Sequence, residues 1–195
     1  SVPYHTLEEV ENLHFQPEKS NGNLIIEGDN LIALKALLPE YAGKVKCIYI
    51  DPPYNTGNEG WVYNDNVNSP LINEWLGKAV GTDDLTRHDK WLCMMTPRLF
   101  LLRDLLANDG VIFISIDDNA LTYLRVLCDE IFGQHNFVAV LPRITKKAGK
   151  TTGSIAKNND YILVYKKDEN LELADIEVDE DNYELEDEYF LSRGH

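Results

Sequence analysis

The sequence predicts an α/β chain built on a doubly wound, largely parallel sheet. Two apolar runs, residues 45–50 and 111–116, have the length and β-branched content of buried strands. Segments with apolar residues at helical spacing separate and follow them. The runs do not alternate polar and apolar residues. Strand–helix–strand order with such strands describes a mostly parallel sheet covered on both faces.

In chain order, Thr6-Leu7-Glu8-Glu9 has the form of a capping box opening a short helix in a peripheral segment, residues 1–20. Asn21-Gly22 signals a turn, and residues 24–27 read as a short buried strand. From Asn30, Leu31, Leu34, Leu37 and Leu38 recur at helical spacing until Pro39 marks the exit. After residues 45–50, positions 51–69 lack periodicity and form a long loop, and residues 71–76 are too short to assign. A helix follows over residues 85–106, with Thr82 or Asp83 at its cap and a break at Pro97. Asn108-Asp109-Gly110 ends it on a glycine. Beyond the strand 111–116, Asp118 or Asn119 caps a helix that turns Leu121, Leu124, Leu127, Cys128, Ile131 and Phe132 inward. Residues 137–141 form a strand, 144–159 a polar and mobile stretch, and 161–165 the last strand. No internal repeat is visible.

A net charge of −15 argues against nucleic acid only until its distribution is considered. Residues 168–195 hold 12 acids against Arg193 alone, so this tail carries −11 and the rest of the chain only −4. Residues 143–167 hold Arg143, Lys146, Lys147, Lys150, Lys157, Lys166 and Lys167 against Asp160, a local +6. Phosphate binding needs such a patch locally, although a solvated basic loop looks the same. No apolar run approaches the roughly 20 residues of a membrane span, and the first residues lack a secretory signal. Cys47, Cys93 and Cys128 sit in apolar patterns and read as reduced core cysteines of a cytoplasmic protein. The sequence holds no zinc constellation, so no metal is expected.

The richest stretch is Asp51-Pro52-Pro53-Tyr54-Asn55-Thr56-Gly57, directly after a buried strand. Two prolines cannot continue a β-ladder and fix φ, so the chain leaves the sheet stiffly at its carboxyl edge. Open α/β sheets bind ligands there. A carboxylate, a fixed carbonyl and an aromatic ring together suit a flat molecule bearing an amino group. Asp51 and the Pro52 carbonyl can accept hydrogen bonds from the NH2, while Tyr54 stacks on the ring.

On these residues the chain resembles the amino-group DNA methyltransferases, and within them the modification subunits of type III restriction-modification systems. The stretches 23–31, 91–99, 110–118 and 159–165 are similar to the family's neighbouring elements, so the resemblance covers about residues 20–167. It implies a Rossmann-like, S-adenosylmethionine-dependent methyltransferase fold of which this chain holds only part. The catalytic subdomain spans residues 21–167, and the acidic tail 168–195 leads toward a target-recognition region. Asp before Pro-Pro-Tyr implies adenine N6 as the target. No Phe-x-Gly-x-Gly-like cofactor loop is present; the resemblance puts it far downstream, so this chain is expected to be inactive alone.

The implied catalytic residues are Asp51, Pro52, Pro53 and Tyr54. Asp29, Asn30 and Asp51 are implied to bind the cofactor, with helix capping as the plain alternative for Asp29. Asn55, Thr56, Tyr161, Arg143, Lys146, Lys147 and Lys150 are implied to contact DNA. The amino nitrogen is a poor nucleophile because its lone pair is delocalised. Hydrogen bonds to Asp51 and Pro52 favour a tetrahedral nitrogen, and positioning with electrostatics supplies the acceleration. The base must be flipped out of the duplex. Double-stranded DNA is the implied partner, with a restriction subunit and a homodimer also raised. Two other readings stay open: a methyltransferase acting on RNA or protein, and a non-catalytic DNA-binding or dimerisation module. His88 and His135 show no partner pattern.

Overall fold

The computed structural model describes residues 5–14, 19, 22–56, 87–144, 158–168 and 171. Among the described residues, three α-helices and four strands carry the fold: α1 (Asn30–Tyr41), β1 (Val45–Ile50), α2 (Arg87–Leu105), β2 (Leu106–Ile116), α3 (Leu121–Phe132), β3 (Phe137–Ile144) and β4 (Asn159–Lys166). The strands form one sheet in the order β1-β2-β4-β3. β1 and β2 pair parallel, and β4 lies antiparallel between β2 and β3. Three strands therefore run one way, and only β4 is reversed.

Helices and sheet share one apolar core. Trp91, Met95, Leu99 and Leu102 of α2 meet Leu124, Cys128, Ile131 and Phe132 of α3 over Ile112, Ile114 and Ile116 of β2 and Leu163 and Tyr165 of β4. Burying each such side chain contributes about 1.5–3 kcal/mol. α3 is tied to the sheet by the Arg125 guanidinium, 3.6 Å above the Phe137 ring, and by Tyr165 Oη donating to Asp129 at 2.5 Å. α1 docks against α2, where Arg98 Nε donates to Asn30 Oδ1 at 2.8 Å.

Cover on the second face of the sheet is uneven. Central β2 and β4 are largely buried, whereas Lys46, Cys47 and Tyr49 of edge strand β1 are exposed on the described residues. Cys47 and Cys93 are accordingly exposed and only Cys128 is a core thiol, which corrects the reading of three core cysteines. Apolar neighbours in sequence do not bury a residue on the outer side of an edge strand or helix.

Several boundaries differ from expectation. Residues 24–27 form no strand, and Leu24, Ile25 and Ile26 are exposed. Their apolar character fits a strand, but none of the described strands pairs with them. Residues 6–9 open no helix; a 3-10 turn at Glu11–Leu13 follows them and buries none of its residues. α2 runs through Pro97 without a break. It ends at Leu105, and Asn108-Asp109-Gly110 lie inside β2 rather than closing the helix. The register explains this: from Val45↔Leu106 to Cys47↔Val111, β1 advances two residues while β2 advances five. The surplus forms a bulge, held by a Lys46–Asp109 ion pair. α3 is not capped by Asp118 or Asn119; its cap position is Ala120 without a side-chain bond. Asp117 shapes the approach instead, accepting from Asn119 N at 2.9 Å and Asn119 Nδ2 at 2.7 Å.

Candidate active site

The topology gathers the chemistry at one end of the sheet. β1 and β2 both present their carboxyl ends there, and the reversal of β4 brings its first residues alongside, with Ile116 opposite Tyr161. β3 ends beside them, with Arg143 opposite Asp160. Asp51 to Thr56, Asp117, Arg143, Asp160 and Tyr161 therefore share one edge.

Asp51 follows the last residue of β1 and is exposed, while Pro52, Pro53 and Tyr54 are half-buried. The Tyr54 phenol is pushed up to about 12 by burial first, then by its hydrogen bond to Asp51 and by the charges of Asp51 and Asp160; a bond with Ser115 works the other way. Tyr54 thus stays a neutral donor and holds the Asp51 carboxylate at the loop. Ser115 also meets the Tyr49 hydroxyl at 2.5 Å.

The loop is fastened from behind. Trp91, fully buried, donates its indole N–H to the Pro53 carbonyl at 2.6 Å. Asn55 is buried and takes φ 61°, a left-handed conformation that costs an ordinary residue about 1–2 kcal/mol and Asn less. Its Nδ2 lies 3.1 Å from His88 Nδ1, and the His88 ring stacks on Tyr123 at 4.3 Å. Thr56 is half-buried.

Asp29 is the cap of α1: its Oδ1 accepts from Leu31 N at 2.8 Å and Ile32 N at 3.2 Å. Both bonds fall on Oδ1, which leaves Oδ2 for a ligand hydroxyl or amine. Asn30 adjoins it with its amide oxygen given to Arg98. Two exposed carboxylates, Asp29 and Asp51, fit a cationic, hydroxyl-bearing cofactor in charge and hydrogen-bonding character.

Tyr161 is half-buried and packs on the helix-covered side of the sheet. Arg143 is engaged in a fork with Asp160, Nε to Oδ1 at 2.8 Å and Nη2 to Oδ2 at 2.5 Å. Asp160 is 7% exposed, and Arg143 beside it holds its carboxyl below the usual carboxylate range. The Arg143 side chain remains 51% exposed, so the cation is held rather than hidden. Lys146, Lys147 and Lys150 lie outside the described residues, as do the 71–76 segment, the Thr82/Asp83 cap and most of the acidic tail.

Sequence reasoning missed His88, Trp91, Ser115 and Asp160. Trp91 and His88 are three residues apart on one helical face, but their partners lie more than 30 positions earlier in the chain. That spacing gives a signal only once the loop is known to fold back. Among the described residues no three metal-binding side chains gather, and no helix is long and apolar enough to cross a membrane.

Residues 45–191 match the family model described as DNA methylase, of N6 and N4 type. The chain is 42% identical to the Mod subunit of the type III restriction-modification enzyme EcoPI of Escherichia phage P1, over 98% of this chain and 32% of that protein. It is 42% identical to the EcoP15I Mod subunit of Escherichia coli, over 86% of this chain and 28% of that protein. To the type II methyltransferase M.KpnI of Klebsiella pneumoniae it is 36% identical, over 93% of this chain and 40% of that protein. The chain spans about a third of the length of the type III relatives it matches. It belongs to the DNA methylase family of N6 and N4 type.

Proposed function

We propose that this chain carries the target-amino half of an adenine-N6 DNA methyltransferase, the modification subunit of a type III-like restriction-modification system. One observation carries the reading most of all: Asp51-Pro52-Pro53-Tyr54 leaves a parallel strand at the sheet's carboxyl edge with its carboxylate exposed. Trp91 occupies the Pro53 carbonyl, so Pro52 supplies the carbonyl for the incoming NH2. Asp51 accepts a hydrogen bond from the other N–H, favours a localised nitrogen lone pair and stabilises the positive charge that develops on that nitrogen. Tyr54 adds a ring for stacking against an unpaired base. Tyr161, at the same edge, closes the base from the far side, and Arg143 contacts the DNA backbone.

S-adenosylmethionine supplies the electrophilic methyl when bound, and Asp29, Asn30 and Asp51 are the residues here that would hold it. Double-stranded DNA is the substrate, with a restriction subunit as partner of the whole protein. Incubating the protein as encoded with DNA and S-adenosylmethionine tests this. Nucleoside analysis should yield N6-methyldeoxyadenosine. N4-methyldeoxycytidine in its place would refute the adenine assignment, and methylated RNA or protein without methylated DNA would refute the reading.

A further inference from the structure

Besides packing in the core, α2 holds the reactive loop at two points through its first two turns. Trp91, fully buried, fixes the Pro53 carbonyl through its indole N–H at 2.6 Å. His88, one turn earlier on the same face, meets the Asn55 side chain at 3.1 Å. Asn55 is buried in a left-handed conformation, so that contact holds the loop in a shape an ordinary residue leaves readily. The His88 ring is in turn braced by Tyr123, stacked at 4.3 Å.

These contacts bear on one carbonyl direction. The peptide planes on either side of Pro53 are rigid, and the pyrrolidine ring fixes its φ. Only ψ of Pro53 remains free between the Pro52 carbonyl and the plane whose oxygen Trp91 grips. With β1 holding the chain before Asp51, anchoring Pro53 O and Asn55 on the far side restricts that torsion and with it the direction of Pro52 O. Without the anchors the loop can turn about that single bond, and the acceptor moves off the line of the amino proton.

We propose that His88 and Trp91 are positioning residues of the reaction: they hold the loop after β1 so that the Pro52 carbonyl and Asp51 carboxylate meet the target amino group together. This rests on the methyltransferase reading above. The two residues act through the loop, so their removal affects the chemical step more than ground-state binding. Misplacing a reacting group by about 1 Å costs on the order of 100-fold in rate.

The test uses the protein as encoded, with DNA and S-adenosylmethionine. Trp91→Phe removes the donor and keeps an aromatic ring; His88→Ala removes the Asn55 partner, and His88→Gln returns an amide acceptor. A Trp91→benzothienylalanine variant keeps the bicyclic shape without the N–H and decides the matter if Trp91→Phe fails to fold. The expected result is a fall in kcat of about 10- to 100-fold per folded molecule for Trp91→Phe and His88→Ala. KM for the methyl donor and Kd for DNA should stay within about 2-fold, and His88→Gln should recover part of the loss. If the variants melt earlier but keep kcat per folded molecule, the residues are structural and the inference is overturned. A rise in KM or Kd at constant kcat overturns it too. Absence of transfer by the unsubstituted protein would instead overturn the methyltransferase reading, and this inference with it.

Discussion

Gly110→Ala should destabilise the fold sharply, because the position is closed by backbone. A Cβ there would lie 2.8 Å from the Val45 carbonyl oxygen, 2.9 Å from that of Ala107 and 2.9 Å from Leu106 Cδ2. The two oxygens would be about 0.4–0.5 Å inside the roughly 3.3 Å at which carbon and oxygen normally meet. Carbonyl oxygens cannot rotate aside, so β1 and the bulge of β2 must separate. The Gly110 carbonyl also accepts from Lys167 N at 2.9 Å, which opposes movement away from β1. Overpacking of this kind costs up to about 3 kcal/mol, or roughly 6–12 °C in Tm for a domain of this size. Gly43→Ala is the control: it has φ 68° with nothing within 4 Å of the added carbon. Its cost is conformational alone, about 1 kcal/mol, or roughly 2–4 °C. Thermal melts followed by circular dichroism measure both. Equal shifts for the two variants, or an unchanged Tm for Gly110→Ala, would refute the bulge register that sets the end of β1.

Two further predictions concern titration. Asp160 has its folded-state pKa lowered by the Arg143 hydrogen bond and charge, against the opposing effect of burial. Such a group adds stability that is full above its unfolded pKa, about 3.9, and is lost as pH falls through the lower folded value. The Tm gap between the unsubstituted protein and Asp160→Asn should therefore be open at pH 7 and close below about pH 4; a gap independent of pH would contradict the ion pair. Tyr54 is raised to about 12 and Tyr165, buried against Asp129, is raised further, so ultraviolet titration should show phenols ionising well after ordinary tyrosines, and Tyr54→Phe should remove the earlier of these late steps. Loss of an ordinary step near pH 10 instead would place the Tyr54 hydroxyl in solvent.

Much of the sheet was legible because β1 and β2 are continuous apolar runs, whose local signal matches their buried environment. The Asp51-Pro52-Pro53-Tyr54 element was legible for the same reason, since proline geometry acts within a few residues. Residues 24–27 misled because being a strand depends on a partner as well as on composition. Asn108-Asp109-Gly110 reads as a helix end by local rules, but Gly110 is there to let two backbones approach, a fact set by Val45, distant in sequence. The Asp117 turn competes with Asp118 and Asn119 for the same carbonyl and amide groups, and sequence gives no order among three adjacent polar residues. Arg143 was read as a DNA contact; its ion-pair partner Asp160 emerged only when β3 and β4 paired. The contacts of His88 and Trp91 with the loop likewise belong to the tertiary fold.

Asp51 is the residue on which the proposed chemistry depends most directly. Its side chain is exposed at the end of β1, so Asp51→Ala should leave the melting curve close to that of the unsubstituted protein. Methyl transfer to DNA by the protein as encoded should fall by about 1000-fold, the scale of losing a principal transition-state contact. Turnover close to normal in that folded variant would contradict the assignment of this edge as the site of the chemistry.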